Sequence, residues 1–134
     1  TALERGRVLF LFQELELAKM QAAARFFEGK HDFASLATQE TRETVRTVYL
    51  CELEANGREL NLHIAADGFL RNMVRAVVGT LLEVGLGKRK PDDIKRVLES
   101  KNRGRAGKNA PPHGLYFVEA SYKPWEIAEV KSEE

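Results

Sequence analysis

The dipeptide Asn56-Gly57 is the sequence feature that most constrains the fold. Asn-Gly favours a two-residue type I′ turn, because both positions of that turn need a positive φ. A turn here predicts a β-hairpin over Thr44 to Ala66 and places the paired residues on one buried face. The predicted pairs on that face are Leu53 with Leu60, Cys51 with Leu62, Tyr49 with Ile64, and Thr47 with Ala66.

The opposite face of the predicted hairpin is only half polar. A sheet face that meets only water usually alternates more cleanly, so we expect another part of the protein to cover this one. The pairs on this second face are Leu50 with His63, Val48 with Ala65, and Arg46 with Asp67.

Helical patterns surround the hairpin. Apolar residues recur at helical spacing from Leu17 to Phe27, and Gly29 follows as a stop signal. The segment Phe69 to Val84 has a broad apolar arc, which predicts a long helix. Pro91 suits the first turn of another helix that runs to Ser100, and Gly114 to Tyr122 has the pattern of a final strand.

The predicted element order is α-β-β-α-α-β. Helices packed on one face of an antiparallel sheet give a two-layer α+β fold. The order matches the ferredoxin-like split β-α-β plan, with its first strand missing or supplied by Arg7 to Phe12. The 134 residues suffice for one core. We assign residues 17–123 to this domain, residues 1–16 to a linker or extra strand, and residues 124–134 to a loosely ordered tail.

The basic residues concentrate in the second half of the chain. Residues 1–67 contain 8 Lys and Arg against 11 Asp and Glu, whereas residues 68–134 contain 13 against 9. The stretch from Arg71 to Lys108 has 11 basic and 4 acidic residues, a net charge of +7. Such a cationic segment indicates a partner with a charged backbone, nucleic acid first, or a set of solvated helix faces.

The sequence predicts neither a membrane span nor a secretory signal, because no run of about 18 apolar residues and no charged-then-apolar leader occurs. Cys51 is the one cysteine, so no internal disulfide forms. We therefore expect a reducing, cytoplasmic setting. The cysteine and the three histidines lack the spacing of a zinc site or a nucleophilic triad, so we expect no metal and no self-contained active site.

Arg75 is the candidate functional residue that the helix pattern singles out. It lies between Val78 and Leu82 on its own helix, so one edge of the polar face is apolar. An arginine held against apolar surface either binds a carboxylate or phosphate, or extends its guanidinium into water. The spacing alone leaves both interpretations open.

The run from Asp67 to Gly85 resembles the signature segment of the bacterial tRNA pseudouridine synthase A family. Further matching motifs follow in the family's order and extend the resemblance over about residues 17 to 122. They are Met20 to Ala24, Gly29 to Ser35, Thr44 to Val48, Lys101 to Arg103, Ala110-Pro111 and Gly114 to Phe117.

The resemblance implies a cofactor-free isomerase that converts uridine to pseudouridine in the anticodon stem-loop of tRNA, acting as a homodimer. It implies that Arg75 pairs with the catalytic aspartate of the family. It also implies that Leu70, Gly114 and Leu115 line the cleft. For contacts to the tRNA backbone we expect Arg71, Lys88, Arg89, Lys90, Arg103 and Arg105.

The sequence departs from the family by lacking two features of its amino-terminal half, the aspartate nucleophile and a tyrosine that packs on the target uridine. The Gly-Arg-Thr-Asp-Ala-Gly type of motif, which holds the aspartate nucleophile in the family's amino-terminal half, does not occur in it. We therefore expect this chain to correspond to the carboxy-terminal half only and to be inactive alone. The alternatives are a non-catalytic RNA-binding module and a half that serves mainly dimerisation.

Overall fold

The structure is a computed structural model, and it describes residues 15–56, 59–111 and 116–121. The extra strand expected at Arg7 to Phe12 and the tail at 124–134 lie outside these ranges. The elements in chain order are α1 (Leu17–Arg25), β1 (Gly29–Asp32), β2 (Val45–Asn56), β3 (Glu59–Ala66), α2 (Met73–Gly85), α3 (Asp93–Ser100) and β4 (Tyr116–Ser121). Single 3₁₀ turns follow β1 at Ala34–Leu36 and follow α3 at Arg103–Arg105.

The strands form one sheet in the order β1-β2-β3-β4. The first three strands pair in antiparallel fashion, and the α+β class is confirmed. Strand β4 adds to this sheet by pairing in parallel with β3, and α2 and α3 make the crossover between them. Among the described residues the two parallel strands are direct neighbours, which is the arrangement that the split plan gives when its first strand is missing. Strand β1 was not predicted, because four residues are too few to show an alternating pattern.

The predicted hairpin exists, but its register differs by two residues. Asn56 pairs with Glu59 and is the last residue of β2, so it does not belong to the turn. Leu53 consequently pairs with Leu62, and Cys51 pairs with Ile64. Side chains alternate between faces with a period of two, so a shift of two residues keeps the same side chains on the buried face.

A β-bulge in β2 reverses this alternation near the start of the strand. The register shifts between Val48 and Leu50, and Val48 pairs with Ala66. As a result Val48 is 1% exposed and Tyr49 is 45% exposed. The prediction that Tyr49 lies on the buried face and Val48 on the other was therefore wrong. The reason is that an extra residue in one strand turns the side chains before it to the opposite face.

The core takes side chains from every helix and from the sheet, and α1 packs against β2 and α2. Its largest fully buried members include Met20, Phe27, Phe33, Leu62, Ile64, Met73, Leu81 and Ile94. Helix α1 begins at Leu17, as predicted, whereas α2 and α3 begin later than predicted. Helix α2 begins at Met73, not at Phe69, because Asn72 adopts a left-handed φ of 62°. Helix α3 begins at Asp93, two residues after Pro91.

Candidate functional site

The segment that leads into α2 is held by the carboxylate of Glu40. This carboxylate accepts hydrogen bonds from the Arg42 guanidinium at 2.7 and 2.9 Å and from the Arg71 backbone N–H at 2.8 Å. The hydrogen bonds from the Arg42 side chain are the main reason that the pKa of Glu40 lies well below its ordinary value. Within this segment the side chain of Leu70 is buried and that of Arg71 is exposed.

Arg75 lies in the first turn of α2 and is partly buried. Its Nε–H donates to the backbone carbonyl of Ala110 at 2.8 Å, and the Ala110 N–H donates to the Arg75 carbonyl at 3.0 Å. Within the described ranges, the guanidinium has no carboxylate partner. Because arginine has several N–H donors in a planar fork, this single bond leaves the Nη groups available to an anion.

The loop of residues 101–111 runs along α2 in the opposite direction. Since a helix rises about 1.5 Å per residue, the 13-residue α2 is about 20 Å long. Hydrogen bonds join the loop to Arg89, four residues past the end of the helix, and to the middle and the start of the helix. The bonded pairs, in that order, are Arg105 with Arg89, Gly107 with Thr80, and Ala110 with Arg75.

Three basic residues follow α2, at Lys88, Arg89 and Lys90, and they differ in exposure: one side chain is mostly buried and two are exposed. The side chain of Arg89 is only 15% exposed, and it donates to Glu83 at 2.7 and 3.0 Å. Its Nη1 donates to the Arg105 carbonyl at 3.0 Å. Lys88 and Lys90 are exposed and have no ion-pair partner in the part of the chain that the structure describes. Arg89 thus fastens the loop to α2, while the two lysines are accessible.

The remaining basic candidates also differ in their environment. Arg103 is partly buried, and its Nη2 donates to Asn109 at 2.9 Å. Arg105 is exposed and lines a cavity of about 100 Å³ together with Arg96 and Asp93. Arg96 forms an ion pair with Asp93 at 2.7 Å, so this cavity is not purely basic. Gly114 and Leu115 lie outside the described residues.

Sequence reasoning missed the residues that hold the loop against α2. Gly79 and Thr80 of the helix meet Gly107 of the loop, and Glu40 holds the segment before the helix. Two signals were present. A glycine inside a helical pattern, here Gly79, often marks a place where another backbone segment comes close to the helix. Thr80 beside it is the one polar side chain in the otherwise apolar stretch of residues 76–82.

The described histidines bind other parts of the chain. His31 Nε2 lies 2.7 Å from the carbonyl of Glu28, and His63 Nε2 lies 2.7 Å from a carboxylate oxygen of Glu54. In residues 15–56, 59–111 and 116–121, no group of three or more His, Cys, Asp and Glu could hold a metal ion. The same residues contain no helix with the length and apolar character needed to cross a membrane.

Comparison with known proteins identifies the family. The family model described as tRNA pseudouridine synthase matches residues 23–123. The tRNA pseudouridine synthase A of Acetivibrio thermocellus is 44% identical over 124 residues, which are 91% of this chain and 51% of that protein. The corresponding enzyme of Exiguobacterium sibiricum is 45% identical over 90% of this chain and 49% of its own. That of Thermus thermophilus is 44% identical over 88% and 48%. The chain spans about half the length of these relatives, and it belongs to the tRNA pseudouridine synthase family.

Proposed function

We propose that this chain is the carboxy-terminal half of a tRNA pseudouridine synthase. The intact protein isomerises uridine to pseudouridine in the anticodon stem-loop of tRNA, next to the anticodon. The family match and the coverage of about half of each relative support this assignment. In this proposal the chain supplies part of the tRNA-binding cleft and the cation that pairs with the catalytic aspartate of the other half.

The observation that carries the proposal is the state of Arg75. A partly buried guanidinium whose Nε–H is bound and whose Nη groups have no carboxylate among the described residues is suited to receive one. Arginine and carboxylate form short, charge-assisted hydrogen bonds that are stronger than neutral ones. A cation beside an aspartate also favours its ionised form, which is the form a nucleophile needs.

For the tRNA backbone we propose Arg71, Lys88, Lys90 and Arg105 as the accessible contacts, because all four side chains are exposed. We also propose Arg103 and Arg89 as contacts to the tRNA backbone. Each of these guanidinium groups already binds another part of the chain, so only its remaining N–H donors are available to a phosphate. The positioning of phosphates needs charge but no base recognition. Leu70, Gly114 and Leu115 complete the proposal as residues that shape the cleft.

The proposal includes three properties of the whole protein. The isolated chain forms no pseudouridine, because the aspartate motif does not occur in its sequence. The intact enzyme is a homodimer. It works in the cytoplasm, where the free, buried thiol of Cys51 stays reduced.

The test replaces Arg75 in the full-length protein. In Arg75→Ala we expect the single-turnover rate of pseudouridine formation to fall roughly a hundredfold or more, which is about 2.7 kcal/mol of activation free energy, because the catalytic aspartate loses the cation that keeps it ionised and oriented. The Kd for tRNA should stay within about threefold, since the lost pairing acts in the chemical step and not in binding. Arg25→Ala, which removes an exposed cation from α1, is the control and should leave both quantities unchanged.

Three results would contradict the proposal. Near-normal turnover by Arg75→Ala would mean that the guanidinium has no catalytic partner. An equal loss in Arg25→Ala would mean that the effect reflects net charge. If only tRNA binding changed, the chain would be an RNA-binding module without a part in the chemistry.

A further inference from the structure

The loop of residues 106–111 and helix α2 meet with no side chain between them. A Cβ added to Gly79 would overlap the Lys108 carbonyl oxygen and lie 2.9 Å from its carbonyl carbon. A Cβ added to Gly107 would lie 2.9 Å from the carbonyl carbon and oxygen of Gly79 and from the Cα of Thr80. Both values are below the 3.4 Å at which ordinary contact begins. The two backbones are therefore as close as glycine on both sides allows.

Thr80 holds this contact by two hydrogen bonds. Its Oγ1 accepts the Gly107 N–H at 2.9 Å and donates to the Ala76 carbonyl at 2.7 Å. Thr80 is fully buried, and of the described residues only Thr80 and Ser35 are polar residues with no exposed surface. A valine would fill the same volume, so the hydroxyl is needed for the loop and not for packing.

The same loop fixes the guanidinium of Arg75. Three residues after Gly107, the Ala110 carbonyl accepts the Arg75 Nε–H, and the Ala110 N–H returns a bond to the Arg75 backbone. An arginine side chain loses considerable rotamer freedom when it is ordered, so a fixed acceptor is needed to hold it. The place of that acceptor depends on the loop, and the place of the loop depends on Thr80 and Gly79.

We propose that Thr80 is a positioning residue for Arg75. Its hydroxyl fixes the loop, the loop fixes the Ala110 carbonyl, and that carbonyl fixes the plane of the guanidinium. The Nη groups are thereby left for the catalytic carboxylate. This inference deepens the proposed function and rests on it for its catalytic meaning, whereas the link from Thr80 to Arg75 belongs to this chain alone.

The first test measures the Arg75 Nε–H directly. We compare the wild-type chain, labelled with ¹⁵N-arginine, with Thr80→Val, Thr80→Ser and Ser35→Ala. Ser35→Ala is the matched control, because it removes the other buried hydroxyl, which has no hydrogen-bond partner among the described residues. In Thr80→Val we expect the Arg75 Nε–H signal to shift and its exchange with water to accelerate roughly tenfold, as for one lost hydrogen bond. Thr80→Ser and Ser35→Ala should behave like the wild type.

The second test uses the full-length enzyme and separates chemistry from binding. Thr80→Val should lower the single-turnover rate roughly tenfold with the Kd for tRNA unchanged, and Thr80→Ser should restore it. If Thr80→Val does not fold, Gly107→Ala displaces the same loop with the hydroxyl in place and should give the same Arg75 signature. An unshifted Arg75 signal in a folded Thr80→Val or Gly107→Ala would overturn the proposal. A shifted signal with normal turnover would keep the positioning link and instead refute the catalytic role of Arg75.

Discussion

Replacing Gly79 by alanine tests the contact between α2 and the loop through the sign of its effect on stability. In an ordinary helix interior, glycine to alanine stabilises by about 0.5–1 kcal/mol, because alanine loses less backbone entropy on folding. Here the new methyl group would overlap the Lys108 carbonyl oxygen and approach the Ala110 nitrogen to 3.2 Å. The loop must therefore move, which lowers the free energy of unfolding, whereas the higher helix propensity of alanine raises it.

The expected magnitude follows from the hydrogen bonds that the movement breaks. They are the bonds from Gly107 to Thr80, from Arg75 to Ala110, and from Ala110 back to Arg75. At about 1 kcal/mol each, their loss costs about 3 kcal/mol. The gain in helix propensity returns about 1 kcal/mol, so Gly79→Ala should lower the free energy of unfolding by about 2 kcal/mol.

Urea unfolding of the chain, followed by circular dichroism, measures this difference. Gly104→Ala is the control, because a Cβ there would meet only the Asn102 side chain, at 3.3 Å. We expect the control to change the free energy of unfolding by less than about 0.5 kcal/mol. A Gly79→Ala variant as stable as the wild type, or more stable, would refute the reasoning, because the loop could then not be packed against the helix backbone.

Further predictions concern charge and burial. Because Arg42 keeps the pKa of Glu40 low in the folded state, the stabilisation from ionised Glu40 is present above its ordinary pKa and is lost as pH falls. The wild type should thus exceed Glu40→Gln in urea midpoint at neutral pH, and the difference should shrink in acid; a constant difference would contradict this. Burial raises the pKa of the Cys51 thiol, so a thiol reagent should leave it unmodified until urea unfolds the chain. Rapid reaction of the native protein would show that the thiol is accessible. In the full-length enzyme, replacing Lys88 and Lys90 by alanine should reduce the slope of log K against log salt by up to about two, as expected for two lost phosphate contacts. Lys30→Ala, on β1, should leave the slope unchanged; an unchanged slope in the double variant would mean that these lysines do not contact phosphate.

The hairpin shows how much of the fold the sequence could predict. The alternation of apolar residues identified both strands and most of their buried face, because this pattern is local and has a fixed period. The alternation could not show the register or the bulge at Tyr49, because a shift of two residues leaves the same side chains on each face and a bulge adds a single residue. Strand β1 was not predicted, because its four residues are too few to show an alternating pattern.

The candidate site was predictable only in part. Arg75 could be singled out, because the helical spacing places this cation beside the apolar side chains of Val78 and Leu82. The roles of Thr80 and Gly107 could not, since their hydrogen bond joins residues 27 positions apart. Arg89 looked equivalent to Lys88 and Lys90 in the sequence, but in the fold it binds Glu83, six residues earlier. Sequence shows the presence of charge, whereas the fold determines which charges are free.

The parallel pairing of β3 with β4 has a consequence for the order in which the chain assembles. Strands β2 and β3 follow each other directly, so their pairing closes a minimal loop. Leu60 pairs with Tyr116, however, across a crossover that contains both α2 and α3. The entropy of loop closure grows with the length of the loop, and non-local pairings form slowly. We therefore expect strand β4 to be the last strand of the sheet to form, after the crossover helices have compacted against the first three strands.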